Sequence, residues 1–313
     1  MNRLAWILLL AAGLAAPFAV YPVFMMKLLC FALFALAFNL LLGYTGLLSF
    51  GHAAFFGGAA YVTGHLVKHA GLTPELGILS GTLFAAALGW VVGSLAIRRQ
   101  GIYFAMVTLA LAQIVYFLAL KLPFTGGEDG LQGIPRGFLF GVIDLQRHYA
   151  VAGKSLGLNL YYFVFALFCL GFWIVHRTIH SPFGQVLKAI RENEARALSL
   201  GYRVERFKLI AFVISSALAG MAGATKSIVF QLASLTDVSW HTSGEVVLMT
   251  LLGGVGTVLG PVAGAFTVVT LQSELSFVGP WITVIIGGIF VVCVLVFRRG
   301  FVGELGRILK RAL

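Results

Sequence analysis

The sequence is poor in charged residues. Only 11% of its 313 residues are Asp, Glu, Lys or Arg, whereas a soluble globular domain carries about 25%. Hydrophobic residues make up 60% of the chain. This balance excludes an ordinary soluble domain and predicts an integral membrane protein.

Cysteine is also scarce. The three cysteines, Cys30, Cys169 and Cys293, all lie inside apolar stretches and have no spacing typical of disulfide pairing or metal binding. We therefore expect no disulfide framework, no bound metal and no cofactor. The thiols are expected to act as small packing groups.

The signatures of catalysis are absent too. A phosphate-binding loop at Gly153-Lys154-Ser155 would need glycine where His148 stands, and one at Lys226 would need glycine in place of Thr225. There is no His-Glu-x-x-His pair, no pair of aspartates within an apolar run, and no serine beside a histidine base. We expect no catalytic residues. If ATP drives this protein, a separate subunit must hydrolyse it.

Long uncharged runs separate the few charges, and each is long enough to cross a bilayer as a helix of about 20 residues. The predicted fold class is therefore an all-α integral membrane protein with eight to ten transmembrane helices. Spans are expected near 4–20, 23–43, 46–67, 76–97, 100–121, 158–176, 208–231, 244–257, 258–272 and 280–297.

The net charge of +11 indicates orientation in a membrane rather than a nucleic-acid partner, because most Lys and Arg residues fall into a few short segments. One is the loop 177–208 and another is the C-terminus after residue 297. An even number of crossings must separate them, so the glycine-broken run 246–273 either crosses twice or enters and leaves on one side. The same parity predicts cytoplasmic N- and C-termini and an external loop at 122–157. We expect one membrane domain over residues 1–313.

The loop 177–208 contains an amphipathic stretch. It starts at Ser181-Pro182, stops at Gly201 and is predicted to form a short helix. One face is apolar and the other is charged; the apolar residues are Val186, Leu187, Ile190 and Ala197. Such a helix either lies on the membrane surface or docks into a soluble partner.

The run from Arg191 to Gly201, Arg-Glu-Asn-Glu-Ala-Arg-Ala-Leu-Ser-Leu-Gly, resembles the "EAA" loop of ABC importer permeases. The resemblance implies a helix that docks into an ATPase subunit. Its residues here would be Arg191, Glu192, Asn193, Glu194, Ala195 and Gly201. Gly201 stands seven residues after Glu194, a looser spacing than in the sugar-importer version, which leaves the individual docking contacts open.

Three further segments, 43–59, 125–131 and 252–265, resemble the LivM-type permease of branched-chain (hydrophobic) amino acid importers. This resemblance implies an ATP-driven importer in the bacterial inner membrane. Its partners would be a second, homologous permease, two ABC ATPase subunits, an external solute-binding protein and membrane lipid, with no nucleic acid. Permeases for urea, short amides or aromatic acids in the same family are alternatives for the substrate.

Five residues are candidates for the translocation path: His52, Glu245, Gly253, Gly254 and Gly256. Ionisable groups within membrane spans are costly to bury, and broken glycine segments line substrate sites in several transporters. As an alternative, His52 is a hydrogen-bonded packing residue. Glu245 could instead lie at the outer membrane interface, and the same position is expected for Lys226. A self-sufficient secondary transporter or channel is the rival function, although Glu245 is the only acid expected inside a span.

Overall fold

The computed structural model describes residues 11, 13–18, 20–139, 141, 143–147, 149–151, 154–296 and 300–308. Five of its long apolar helices match expected spans. The first of the helices described, α1, is Pro22–Thr45. We also find α2 (His52–His69), α3 (Pro74–Ala96), α4 (Ile102–Lys121) and α5 (Leu158–His180). Two short helices follow, α6 (Pro182–Glu192) and α7 (Glu194–Ser199), before the long α8 (Val204–Phe230).

The last described helices are α9 (Trp240–Gly253), α10 (Gly260–Glu274), α11 (Ile282–Val296) and α12 (Gly300–Ile308). By length and composition, α1, α3, α4, α5 and α8 are able to cross a membrane. The protein is thus an all-α polytopic membrane protein, as the composition predicts. The expected first span at 4–20 lies mostly outside the described residues.

The expected span at 46–67 is wrong at its beginning. Residues 46–51 are not helical, Gly46 ends α1 in the left-handed conformation with φ 75°, and α2 begins only at His52. Hydropathy did not reveal this because the segment is uncharged and apolar. Non-helical backbone at membrane depth is tolerated only where protein buries it or where it lines a cavity. Here the segment lines an apolar cavity with residues of α4, among them Ile102 and Met106.

The run 246–273 is broken, as expected. It forms α9 and α10, joined by residues 254–259. A Cβ on Gly264 would meet the Met249 carbonyl and one on Gly253 the Gly260 carbonyl, so the two helices run antiparallel in close contact. We call α9, residues 254–259 and α10 the glycine hairpin. Each helix is about 21–22 Å long, short of the roughly 30 Å hydrocarbon core.

The core is built around α8, which packs against α1, α2 and α3. Aromatic side chains of α1 also contact those of α2, as Phe34 does with Phe56. Small residues permit this packing: a Cβ on Gly223 would lie 1.9 Å from the Phe56 carbonyl oxygen, and one on Gly220 would lie 2.2 Å from the Ala85 Cβ. Close approach of this kind holds helices together in lipid, where hydrophobicity supplies no force between them.

The bundle has two ends. One, the Arg191 end, holds the last turn of α1, the start of α8, helices α6 and α7, and the hairpin loop, against which Gly300 of α12 packs. The other, the Asp237 end, holds the segment 122–157. That segment has two single 3-10 turns and short antiparallel strand pairs, and Leu131–Gln132 pairs with Leu232–Ala233. The loop 177–208 and α12 therefore lie at the same end of the helix bundle, as the distribution of positive charges predicts.

Candidate functional site

The stretch 181–201, which we call the coupling segment, is two helices instead of the single one expected. Ser181 caps α6 by accepting a hydrogen bond from the Gly184 amide at 3.3 Å, and Pro182 occupies the first turn, where its missing N–H costs nothing. Asn193 then breaks the helix in an extended conformation and caps α7 by accepting from the Arg196 amide at 2.9 Å. Gly201, with φ 87°, ends the segment.

The inner face of the coupling segment is the expected apolar one. Leu187, Ile190 and Ala197 are buried, and Ile190 and Ala197 pack with Val204 at the start of α8. The opposite face is open: Leu198 and Leu200 are 64% and 70% exposed, and Glu192 and Ala195 are also exposed. Exposed apolar side chains with charged neighbours are typical of a surface that contacts a protein partner or the membrane.

Arg191 joins the coupling segment to the membrane helices. Its guanidinium donates to the Gly43 carbonyl in the last turns of α1. Beside it, the Lys188 ammonium lies 5.7 Å from the centre of the Tyr44 ring. The Tyr44 hydroxyl in turn donates to the Gly256 carbonyl at 2.9 Å. The coupling segment, the end of α1 and the hairpin loop therefore meet at one point.

Asn39 holds the hairpin loop against α1. Its side chain donates to the Thr257 carbonyl at 2.8 Å and accepts from the Gly256 amide at 2.9 Å. The residue is fully buried. Both bonds satisfy main-chain groups that the break in the helix leaves without helical partners. Gly254 and Gly256 have φ angles of 118° and 79°, which only glycine adopts readily.

Glu194 makes an ion pair within the chain. Its carboxylate lies 2.7 Å from the ammonium of Lys208, whose side chain is only 5% exposed. No sequence pattern indicates this partner, because Lys208 stands at the end of the positively charged loop 177–208. A contact from residue 194 to α8 has no local sequence signal.

His52 lies between the two ends. Its Nε2 is 2.8 Å from the Ser215 hydroxyl, which itself donates to the Ala37 carbonyl at 2.5 Å. The ring is fully buried and meets Phe38 and Phe212 edge-on, with centroid distances of 5.1 Å and 6.0 Å. In this conformation, the described contacts of His52 are all with other residues of the bundle.

Glu245 and Lys226 lie towards the Asp237 end. Glu245, on α9, accepts a hydrogen bond from the Gln272 amide of α10 at 3.0 Å. Lys226, expected at the outer interface, forms an ion pair with the buried Asp237. Its ammonium also lies 5.7 Å from the Phe56 ring centre. Asp237 was missed because it stands in a polar connection without a motif.

The structure therefore separates the predicted site residues into two groups. Arg191, Gly254 and Gly256 come together at one end with Gly253 beside them, and Glu245 stands at the other. Glu192 to Ala195 continue the coupling segment, and His52 stays apart. In the part of the chain that the structure describes, no group of three or more His, Cys, Asp or Glu side chains is placed to hold a metal ion.

Comparison with known proteins finds similarity to transport permeases. The family described as "Branched-chain amino acid transport system / permease component" matches residues 23–295. The high-affinity branched-chain amino acid transport system permease protein LivM of Escherichia coli is 29% identical over 276 residues, which cover 83% of this chain. The chain spans 65% of that relative's length. No solved structure matches the chain significantly.

Two further relatives match, and one of them is named for a different solute. A probable branched-chain amino acid transport permease protein LivM of Methanocaldococcus jannaschii is 26% identical over 287 residues, 79% of each chain. The autoinducer 2 import system permease protein LsrC of Enterobacter is 27% identical over 203 residues, 62% of this chain and 54% of the relative. The similarity therefore extends over permeases named for two different solutes.

Proposed function

The chain belongs to the family of branched-chain amino acid transport system permease components, and on that premise we propose that it translocates branched-chain amino acids inward. It is a multi-pass inner membrane protein and the permease component of an ABC-type transport system. Relatives named for branched-chain amino acids support this substrate. Because one relative is named for autoinducer 2 import, similar permeases differ in their solutes. Urea, amides and aromatic acids therefore stay as alternative substrates.

One observation carries the mechanism: Arg191 of the coupling segment donates a hydrogen bond to Gly43 at the end of α1 and also lies against Gly256 of the hairpin loop. A push on α6 and α7 from an ATPase subunit would reach these two elements without passing through a flexible linker. The glycines of the loop, with their unusual backbone angles, allow it to change shape. In the proposal, ATP-driven motion of the coupling segment shifts the glycine hairpin and switches the path between outward-open and inward-open forms.

The partners follow from this mechanism. One of two ABC ATPase subunits would bind the exposed face of the coupling segment through Glu192, Ala195 and the apolar side chains beside them, and the other would bind the corresponding loop of the second permease. A second, homologous permease would complete the path, and an external binding protein would deliver the solute. Residues 1–313 would act as one permease domain with both termini in the cytoplasm, the loop 122–157 outside and the coupling loop 177–208 inside.

The experiment is reconstitution. The chain is purified with the ATPases and the partner permease encoded beside it, placed in liposomes, and given the binding protein and radiolabelled leucine. Uptake that requires ATP and all the subunits supports the proposal. The matched control is the chain alone with an ion gradient: if that preparation moves leucine, the protein is a secondary transporter and the proposal is wrong. Competition with unlabelled urea and aromatic acids tests the alternative substrates.

A further inference from the structure

We propose that Lys27, Glu245 and Gln272 form a binding site for the charged ammonium and carboxylate groups of the transported amino acid. We call these three residues the polar cluster. They come from three helices, α1, α9 and α10, which pack against one another. The site rests on the proposed function, since it presupposes a solute that carries both charges.

The first argument concerns the surface on which the polar cluster lies. All three side chains are only partly buried, and all three stand on helices within the apolar bundle. A charged group that faces lipid chains inside a membrane is costly, so such residues face protein or a water-filled cavity. The surface of α3 and α4 is different: Leu79, Trp90, Met106 and Phe117 are 53–61% exposed there, and the exposed positions between the helix ends are apolar. That surface suits lipid, and the surface with the polar cluster does not.

The second argument concerns charge pairing. Lys27 and Glu245 stand within about one helical turn of each other along the parallel helices α1 and α9. The two side chains do not form an ion pair, and no hydrogen bond of the Lys27 ammonium is found among the described residues. The nearby Lys226 is not available as a partner, because Asp237 binds it. Opposite charges thus stand near each other without contact. A charge that is partly removed from water and has no partner is unfavourable, and a ligand that supplies the missing partner reduces that penalty.

The third argument is chemical complementarity. An α-amino acid carries an ammonium and a carboxylate on one carbon atom, so it can bridge two separated charges of opposite sign. The Glu245 carboxylate suits the ligand's ammonium, and the Lys27 ammonium suits its carboxylate. Gln272 holds one carboxylate oxygen of Glu245 at 3.0 Å and so fixes its direction. An uncharged solute such as urea has no use for this arrangement.

The experiment uses the complete complex in liposomes, with its binding protein, ATP and radiolabelled leucine. Lys27→Gln and Glu245→Gln are compared with Lys121→Gln and Glu274→Gln, which remove the same charges from exposed helix ends. We expect each cluster variant to reduce leucine uptake about ten-fold, the loss of one charge-assisted contact, while the controls behave like the wild type. ATP hydrolysis stimulated by the binding protein should persist in all four, which shows that the complex is assembled.

A charge exchange separates ligand binding from mutual pairing. If Lys27 and Glu245 only pair with each other, the double variant Lys27→Glu/Glu245→Lys keeps their interaction. If they bind a ligand in one orientation, that ligand meets a like charge at both of its charged groups in the double variant. Continued low uptake supports the site, and restored uptake overturns it. Unchanged uptake in both single variants also overturns it, with the proposed function intact. Wild-type uptake of urea and not leucine would overturn the proposed function, and the site with it.

Discussion

Arg191 on the coupling segment donates a hydrogen bond to the Gly43 carbonyl, 148 residues earlier in the chain. Gly43 has no room for a side chain, because a Cβ there would lie 2.7 Å from the Gly256 amide nitrogen. The contact therefore fixes the coupling segment to the place where α1 touches the hairpin loop. Displacement of α6 must move this junction or break the hydrogen bond.

Arg191→Ala should uncouple ATP hydrolysis from uptake. The variant loses a charge-assisted hydrogen bond to the end of α1, so we expect the amount of leucine moved per ATP to fall about ten-fold while hydrolysis continues. Both rates are measured on the same reconstituted complex. Arg206→Ala, which removes an exposed arginine at the same end, is the control and should keep the ratio. Equal ratios in the two variants would exclude Arg191 from coupling.

Glu194→Ala should destabilise the protein through Lys208. The substitution leaves the ammonium of Lys208, whose side chain is only 5% exposed, without its partner. Glu194 itself is partly exposed, so we expect a loss of only about 1–2 kcal/mol in the free energy of unfolding, seen as a lower midpoint of thermal unfolding in detergent. The double variant Glu194→Ala/Lys208→Met removes both charges and should recover most of that loss. If the double variant is no more stable than Glu194→Ala, the ion pair does not contribute as described.

Gly253→Ala should disrupt the glycine hairpin. The added methyl group would lie 1.8 Å from the Gly260 carbonyl oxygen, a backbone atom that cannot turn away. Forced overpacking costs about 1–3 kcal/mol or more, so the yield of folded complex and its uptake should both fall. Gly244→Ala in the same helix is the matched control, since a Cβ there has no neighbour within 4 Å. Normal behaviour of Gly253→Ala would contradict the close antiparallel packing of α9 and α10.

The orientation in the membrane is tested by labelling. Glu128→Cys lies in the loop at the Asp237 end and Glu192→Cys lies in the coupling segment. The three native cysteines are first replaced. In intact cells, a membrane-impermeant maleimide should label position 128, and position 192 should react only after the membrane is opened. The reverse pattern would place the coupling segment outside, where no ATPase subunit could bind it.

The sequence predicts the long helices well and the local backbone less well. The positions of α1, α3, α4, α5 and α8 agree within a few residues with the expected spans, because uncharged runs and their flanking charges determine where a helix crosses lipid. Hydropathy measures the transfer of side chains from water to lipid and contains no information on backbone conformation. It therefore could not find the non-helical stretch before His52 or the break at Asn193.

The site residues divide in the same way. The coupling segment was found because its caps, its amphipathic pattern and its "EAA" resemblance are all local in the sequence. The partners of its residues were not found: Gly43 for Arg191 and Lys208 for Glu194 depend on how distant helices pack. The polar cluster could not be predicted from the sequence at all. Lys27 and Glu245 are more than two hundred residues apart and come near each other only because α1 packs against α9.

The short length of α9 and α10 bears on how the chain enters the bilayer during synthesis. Neither helix reaches across the hydrocarbon, and Glu245 makes the first of them a poor candidate for insertion by itself. The pair must therefore be integrated together, once α1 and α8 are in place to receive it and Asn39 is there to satisfy the loop. A nascent chain arrested before Gly260 would leave α9 outside the lipid, so biogenesis of this protein depends on the arrival of α10.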